Sequence, residues 1–101
     1  MSNYQIISAT ALKQLQQQQA EVQIVDIRDV ASYEKGHIPG AVRLGNDNLA
    51  EFMTQADMEK PLVVVCYHGI SSQSAAEYLH QQGFDEVYSL EGGFAAWPWY
   101  D

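Results

Sequence analysis

The sequence predicts a three-layer α/β domain in which helices cover both faces of a mainly parallel central sheet of about five strands. Two observations lead to this prediction. Segments with the composition of strands alternate along the chain with segments of helical periodicity. The most apolar segment, residues 62–66, is continuously apolar rather than alternating, which is typical of a central parallel strand covered on both faces.

The first half of the chain contains two predicted strands and three predicted helical segments. Ser8 is placed to cap a helix, because the apolar residues that follow it keep a helical spacing. The glutamines at 16–19 continue it as a solvated helix face that runs into a turn. Residues 22–27 are β-branched and largely apolar, and they predict a strand. A short helical piece at 31–35, a turn at 36–40, a brief strand at 41–44 and a helix at 47–55 complete this half.

The second half begins with the central strand at 62–66 and continues as helix, strand and short helix. Residues 72–82 predict a helix that Gly83 is placed to end. Residues 86–90 predict another strand, and Gly92 and Gly93 open a last short helix. The length of 101 residues fits one domain spanning 1–101, with no internal repeat and no linker.

Composition and charge exclude several classes of protein. An apolar fraction of 47% is ordinary for a globular protein and argues against a disordered chain. A net charge of −8 argues against binding to nucleic acid and to an anionic membrane surface. The longest apolar run, residues 62–67, is too short to span a bilayer, and no secretory signal precedes it. With one cysteine, no internal disulfide forms, so we expect a soluble cytoplasmic protein.

Cys66 is the candidate nucleophile. It lies at the end of the most buried predicted strand, and ligands of open α/β sheets bind beyond the carboxyl ends of the strands. A loop tightened by Gly69 and opening a helix can direct backbone N–H groups into one concavity, which is an anion site that needs no Lys or Arg. Residues 61–101 contain neither. Such a loop also lowers the pKa of a thiol. The alternative is that Cys66 is only a small buried hydrophobe.

The residues around Cys66 have competing interpretations. His68 could act as a general base or assist the thiolate, although a lone loop histidine is more often a surface residue. Ser71 and Ser72 could donate hydroxyls to a bound oxyanion, and one of them is also the expected helix N-cap. We expect no zinc site, because His37, Cys66, His68 and His80 lack a compact metal-ligand spacing. His37 is expected to make structural hydrogen bonds and His80 to be solvated.

Four motifs give the chain a resemblance to a known family. They are Val-Asp-Ile-Arg at 25–28, Gly-His-Ile-Pro-Gly-Ala at 36–41, Cys-Tyr-His-Gly-Ile-Ser-Ser at 66–72 and Leu-Glu-Gly-Gly-Phe-Ala-Ala-Trp at 90–97. In these motifs, and in their order, the chain resembles the rhodanese family, and within it the single-domain bacterial thiosulfate sulfurtransferases. The matching features span almost the whole chain.

The resemblance implies a rhodanese-like fold and a thiosulfate:cyanide sulfurtransferase. Cys66 would take the outer sulfur of thiosulfate as a persulfide, release sulfite, and pass the sulfur to cyanide or another thiophilic acceptor. In the cell that acceptor would be a small thiol or a protein thiol, such as the small dithiol protein thioredoxin. Neither a metal nor an organic cofactor is implied. The loop that would hold the transferred sulfur and the donor consists of Tyr67, His68, Gly69, Ile70, Ser71 and Ser72.

Two features qualify what the resemblance implies. The commoner pattern of the family often has Arg or Lys in the loop, whereas Ile70 and Ser71 are neutral, which leaves room for a different sulfur donor. Asp26 and Arg28 would orient the active-site loop, or they would form an internal ion pair that fixes the end of a strand.

Three alternatives share this scaffold. A cysteine phosphatase of the Cys-x5-Arg kind would need Arg at position 72, where the chain has Ser72, and the loop also looks one residue short for a phosphate-sized ion. A non-catalytic binding module would have no need of an intact Cys66 and a glycine-containing loop. A sulfur-relay carrier, which receives a persulfide from another enzyme, uses the same Cys66 chemistry and is not separated by sequence from a thiosulfate user.

Overall fold

Five parallel strands form one sheet in the order β1-β5-β4-β2-β3. The structure, a computed structural model, describes residues 4–18 and 21–99. The strands are β1 (Gln5–Ile7), β2 (Gln23–Asp26), β3 (Val42–Arg43), β4 (Leu62–Val65) and β5 (Val87–Leu90). The helices are α1 (Ala9–Gln18), α2 (Val30–Lys35), α3 (Leu49–Gln55) and α4 (Ser71–Gln81), and a turn of 3-10 helix covers Phe94–Ala96. The predicted α/β class with a parallel sheet is confirmed.

The central strand separates two apolar cores. Val63 and Val65 point into the core under α1, whereas Leu62 and Val64 point into the core under α3 and α4. Successive side chains of a strand alternate between the two faces of the sheet, so a strand buried on both faces must be apolar at every position. The continuous apolar run read from the sequence therefore belongs to a central strand, as predicted.

The first strand, β1, lies where the sequence pattern assigned no element. It pairs with β5 at the edge of the sheet, with Gln5 opposite Tyr88. After it, α1 begins as expected, and Ser8 Oγ accepts a hydrogen bond from the Ala11 N–H at 3.1 Å. The glutamines at 16–18 lie in this helix, while Gln19 falls outside the described residues.

Two local predictions are wrong. No serine caps α4: the helix begins at Ser71, the N-cap position is Ile70, and no side-chain hydrogen bond is made there. His80 is not fully solvated either. It is half-buried near the end of α4, and its Nδ1 lies 2.9 Å from the carbonyl oxygen of Phe84, where the chain turns away from the helix.

No helix within residues 4–18 and 21–99 is long and apolar enough to cross a membrane.

Candidate active site

Cys66 follows directly after β4, the strand flanked by β5 and β2 in the middle of the sheet. The chain then turns through residues 67–70 into α4, so the sulfur lies between the carboxyl end of a strand and the amino end of a helix. A helix leaves its first N–H groups without partners in the helix and has a positive dipole at that end. Backbone N–H groups therefore lie close to the Cys66 sulfur, and Cys66 itself is buried.

Three donors surround the Cys66 sulfur. The Gly69 N–H lies 3.1 Å from Sγ and the Ser72 N–H lies 3.3 Å from it. Ser72 Oγ is also 3.3 Å from Sγ, and its hydroxyl donates to the sulfur once the thiol has lost its proton. Burial raises the pKa of the Cys66 thiol, but the hydrogen bonds from Ser72 Oγ and from the amides of Ser72, Gly69 and His68 outweigh burial and leave the pKa below its ordinary value. The arrangement favours a thiolate.

The segment that follows β5, a turn and the 3-10 helix, holds the first loop in place. The Phe94 N–H donates to the Cys66 carbonyl oxygen at 2.8 Å, and the Ala95 N–H donates to the Tyr67 carbonyl oxygen at 3.0 Å. The two backbones approach so closely that a Cβ on Gly93 would lie 2.5 Å from the carbonyl oxygens of both residues. A Cβ on Gly69 would lie 2.8 Å from the Gly92 nitrogen. The glycines of the fourth motif thus serve the contact between loops as well as their own turn.

Asp26 and Arg28 form a buried ion pair at the end of β2. Arg28 Nη2 lies 2.7 Å from Asp26 Oδ2, and its Nε lies 2.9 Å from Oδ1. The Arg28 amide also donates to Asp26, and Nη2 donates to the carbonyl oxygen of Gly36 at 2.7 Å. The ion pair at a strand end is observed. The guanidinium also lies 4.3 Å from the Phe94 ring centroid and 5.9 Å from that of Tyr67, so Arg28 reaches both the 3-10 helix and the first residue of the loop.

The structure divides the predicted loop residues into two groups. Gly69 and Ser72 contact the sulfur. The side chains of the other four lie at the surface: Tyr67, His68, Ile70 and Ser71. Ile70 is 72% exposed, and the rings of Tyr67 and His68 lie 4.9 Å apart. These four side chains therefore lie at the surface around Cys66, while the backbone and Ser72 contact its sulfur.

Ser89 is the site residue that sequence reasoning missed. It lies in β5, is completely buried, and its Oγ is 2.6 Å from Ser72 Oγ. Ser89 is two residues after Val87, which packs into the core under α4, so a polar residue stands at an inward position of a buried strand. A buried hydroxyl needs a hydrogen-bond partner. A serine at an inward position of an apolar strand was therefore the feature of the sequence that could have identified Ser89.

The surroundings of the histidines differ from one another. Among the described residues, no group of three or more His, Cys, Asp and Glu side chains is arranged to hold a metal ion. His37 makes a structural hydrogen bond as expected: its Nδ1 lies 2.8 Å from the Tyr33 carbonyl oxygen, and its ring stacks on that of Tyr33 at 3.8 Å.

Solved structures with the same fold come from several bacteria. A rhodanese-like domain protein of Staphylococcus aureus superposes with a TM-score of 0.81 at 29% identity, covering 96% of each chain. A protein of unknown function from Rhodopseudomonas palustris, described as a possible tyrosine phosphatase, superposes with a TM-score of 0.78 at 31% identity, covering 93% of this chain and 79% of that one.

Sequence comparisons agree with the structural ones. The thiosulfate sulfurtransferase GlpE of Shewanella oneidensis is 61% identical over 97 residues, which are 96% of this chain and 95% of the relative. The GlpE protein of Pseudoalteromonas translucida is 56% identical over 77 residues, 76% of this chain and 73% of the relative. The family of the rhodanese-like domain matches residues 8–98. The resemblance read from the four motifs is thus confirmed, and this chain belongs to the rhodanese-like domain family.

Proposed function

We propose that this protein is a thiosulfate sulfurtransferase in which Cys66 carries the sulfur. The observation that supports this most strongly is the Cys66 sulfur itself, which lies within hydrogen-bond distance of two backbone amides and one hydroxyl at the carboxyl end of the central strand. A thiolate is the nucleophilic form of cysteine, and these donors stabilise it. The two relatives named thiosulfate sulfurtransferase support the choice of thiosulfate as donor.

In the first step the Cys66 thiolate attacks the outer sulfur of thiosulfate. A new S–S bond forms to Cys66, the S–S bond of thiosulfate breaks, and sulfite leaves with the bonding electron pair. One negative charge remains on the terminal sulfur of the persulfide, and two remain on sulfite, so charge is conserved. Backbone amides of residues 67–71 stabilise the charge on the terminal sulfur and on the leaving sulfite, because they are fixed before the reaction begins.

In the second step a thiophilic acceptor attacks the terminal sulfur of the persulfide. Cyanide leaves as thiocyanate, and Cys66 is restored as a thiolate. A small thiol or a protein thiol, such as a dithiol protein of the thioredoxin kind, takes the place of cyanide in the cell. The reaction requires Cys66 in its reduced form, so we expect the protein to work in the reducing cytoplasm.

The neutral loop distinguishes this chain from family members with a basic residue there. Ile70 and Ser71 add no positive charge, and Ser71 is exposed. Binding of the thiosulfate dianion then depends on backbone N–H groups and on the dipole of α4. A sulfur-relay carrier, which receives its sulfur from the persulfide of another enzyme, would use the same Cys66 and the same loop as a thiosulfate sulfurtransferase.

A phosphatase activity is not favoured, despite the fold shared with the Rhodopseudomonas palustris protein. The position that would carry the phosphate-binding arginine is Ser72, which is completely buried and hydrogen-bonded to Cys66 and Ser89. We expect no measurable hydrolysis of an aryl phosphate.

The test of the proposed function is the steady-state formation of thiocyanate from thiosulfate and cyanide. The two-step scheme predicts parallel lines in double-reciprocal plots, because sulfite leaves before cyanide reacts. Cys66→Ser is expected to abolish turnover while keeping the circular dichroism spectrum of the unsubstituted protein. Intersecting lines, or thiocyanate formation by the folded Cys66→Ser variant, would contradict the scheme.

A further inference from the structure

Three buried atoms form a hydrogen-bonded chain that ends at the reacting sulfur. Ser89 Oγ lies 2.6 Å from Ser72 Oγ, which in turn lies 3.3 Å from Cys66 Sγ. Ser72 and Ser89 are both completely buried, and they come from the two elements on either side of the sulfur, α4 and β5. Within residues 4–18 and 21–99, Ser89 Oγ has no other hydrogen-bond partner.

Counting protons shows which state of Cys66 this chain fits. The three atoms have two hydrogen-bond links between them. When Cys66 is a thiolate, the chain holds two protons: Ser89 donates to Ser72, Ser72 donates to the sulfur, and both links are filled. When Cys66 is a thiol, a third proton is present, so one proton at an end of the three-atom chain, on Cys66 Sγ or on Ser89 Oγ, has no acceptor within it. A buried donor without a partner is unfavourable, and the chain therefore fits the thiolate.

We infer that Ser89 is a positioning residue for sulfur transfer: by donating to Ser72 Oγ, it keeps the Ser72 hydroxyl proton directed at the Cys66 sulfur. The inference rests on the proposed function, since it gives Ser89 a role in supporting Cys66, the residue proposed to carry the sulfur. Ser89 does not touch that sulfur and acts only through Ser72. Its hydroxyl orients the Ser72 hydroxyl without placing a charge in the interior.

The titratable groups around the sulfur do not provide an alternative to this chain. In the loop, the side chains of Tyr67 and His68 are exposed. From β2, Arg28 is paired with Asp26 and reaches the Tyr67 ring at 5.9 Å. Among the described residues, the side chain that is hydrogen-bonded to the Cys66 sulfur is that of Ser72.

The test is the rate of Cys66 alkylation by iodoacetamide as a function of pH. Ser89→Ala is expected to move the midpoint of this titration to higher pH and to slow alkylation below the midpoint by roughly threefold to tenfold, the range that one hydrogen bond contributes. Ser89→Thr, which restores a hydroxyl, is expected to recover part of the shift. Ser74→Ala, a substitution at an exposed serine of the same helix, is expected to leave the midpoint unchanged.

A double-mutant cycle separates positioning from a general loss of packing. Ser72→Ala alone is expected to raise the midpoint, and adding Ser89→Ala to it is expected to cause no further change, because Ser89 acts through Ser72. The inference is overturned if Ser72→Ala leaves the midpoint in place, if Ser89→Ala titrates like the unsubstituted protein, or if Ser89→Ala shifts the midpoint equally in both backgrounds. Alkylation uses neither thiosulfate nor cyanide. A protein that shows the shift but forms no thiocyanate would keep this inference and lose the proposed function.

Discussion

Gly93→Ala is the substitution that most sharply tests how the active-site loop is held. Gly93 has φ +64° and ψ −162°, a backbone conformation that is essentially restricted to glycine and costs other residues about 1–3 kcal/mol. The added Cβ would also lie 2.5 Å from the carbonyl oxygens of Cys66 and Tyr67, which belong to backbone and have little freedom to move. Crowding of this kind costs about 1–3 kcal/mol in a packed interior.

Together these effects predict a loss of about 2–6 kcal/mol in the free energy of unfolding. A loss of 1 kcal/mol lowers the Tm of a domain of this length by about 4–8 °C, so we expect a decrease of roughly 10 °C or more. The substitution should also displace the backbone between Cys66 and Tyr67, and with it the amides that face the sulfur. Alkylation of Cys66 should therefore slow in the folded variant.

Gly40→Ala is the matched control. Gly40 also has a positive φ, +88°, but a Cβ there would meet no atom within 4 Å. We expect only the cost of the backbone conformation, about 1–2 kcal/mol, and unchanged alkylation of Cys66. Urea denaturation and iodoacetamide alkylation of the two variants give the comparison. Equal destabilisation and equal alkylation rates would refute the argument that the close approach of the two loops requires glycine at position 93.

Three further predictions concern the ion pair, the thiol and the charge of the protein. Asp26→Asn removes one partner of a buried pair and should lower the free energy of unfolding by about 3–5 kcal/mol in urea denaturation, whereas Asp47→Asn at the surface should change it little. Because the pKa of Cys66 lies below the ordinary value, iodoacetamide should still alkylate Cys66 at a pH where glutathione has largely lost its reactivity. If the alkylation rates of Cys66 and of glutathione fall in parallel as the pH is lowered, the result would contradict the site geometry. Since the net charge is −8, the second-order rate with thiosulfate should rise with ionic strength in stopped-flow mixing experiments, and a steady fall with added salt would show an attractive field at the site.

Features of the site that depend on local pattern were predictable. Cys66 ends a continuously apolar run and precedes a glycine-containing turn into a helix, and these signals lie within a few residues of one another. The run is apolar because β4 packs into both cores, and the turn is tight because Gly69 adopts φ +85°. These local signals place Cys66 between the end of β4 and the start of α4, where the structure has it, while its role as nucleophile stays a prediction.

Features that depend on contacts between distant segments were not predictable. Ser89 becomes part of the site only because β5 lies beside β4 in the sheet, and the periodic pattern of β5 alone shows just a polar residue in an inward position. The strand β1 has three residues, which is too short for a hydrophobic pattern to be recognised in the sequence. It is a strand because it pairs with β5.

The N-cap of α4 is a local prediction that the structure contradicts. A serine before the first turn of a helix usually accepts a hydrogen bond from the backbone, which is why a serine N-cap was expected. The helix instead begins at Ser71, and the Ser72 hydroxyl bonds to Cys66 and Ser89. The helix starts one residue earlier than the pattern indicates, which leaves Ile70 at the N-cap position and Ser72 inside the first turn.

The central claim, that Cys66 carries a sulfur atom between donor and acceptor, is tested most directly by the intact mass of the protein. The reduced protein would be weighed by mass spectrometry after incubation with thiosulfate, and again after addition of cyanide. We expect a gain of one sulfur atom that cyanide removes and that the Cys66→Ser variant does not show. A folded protein that gains no mass with thiosulfate would contradict thiosulfate as the donor, and a gain that persists in Cys66→Ser would contradict Cys66 as the carrier.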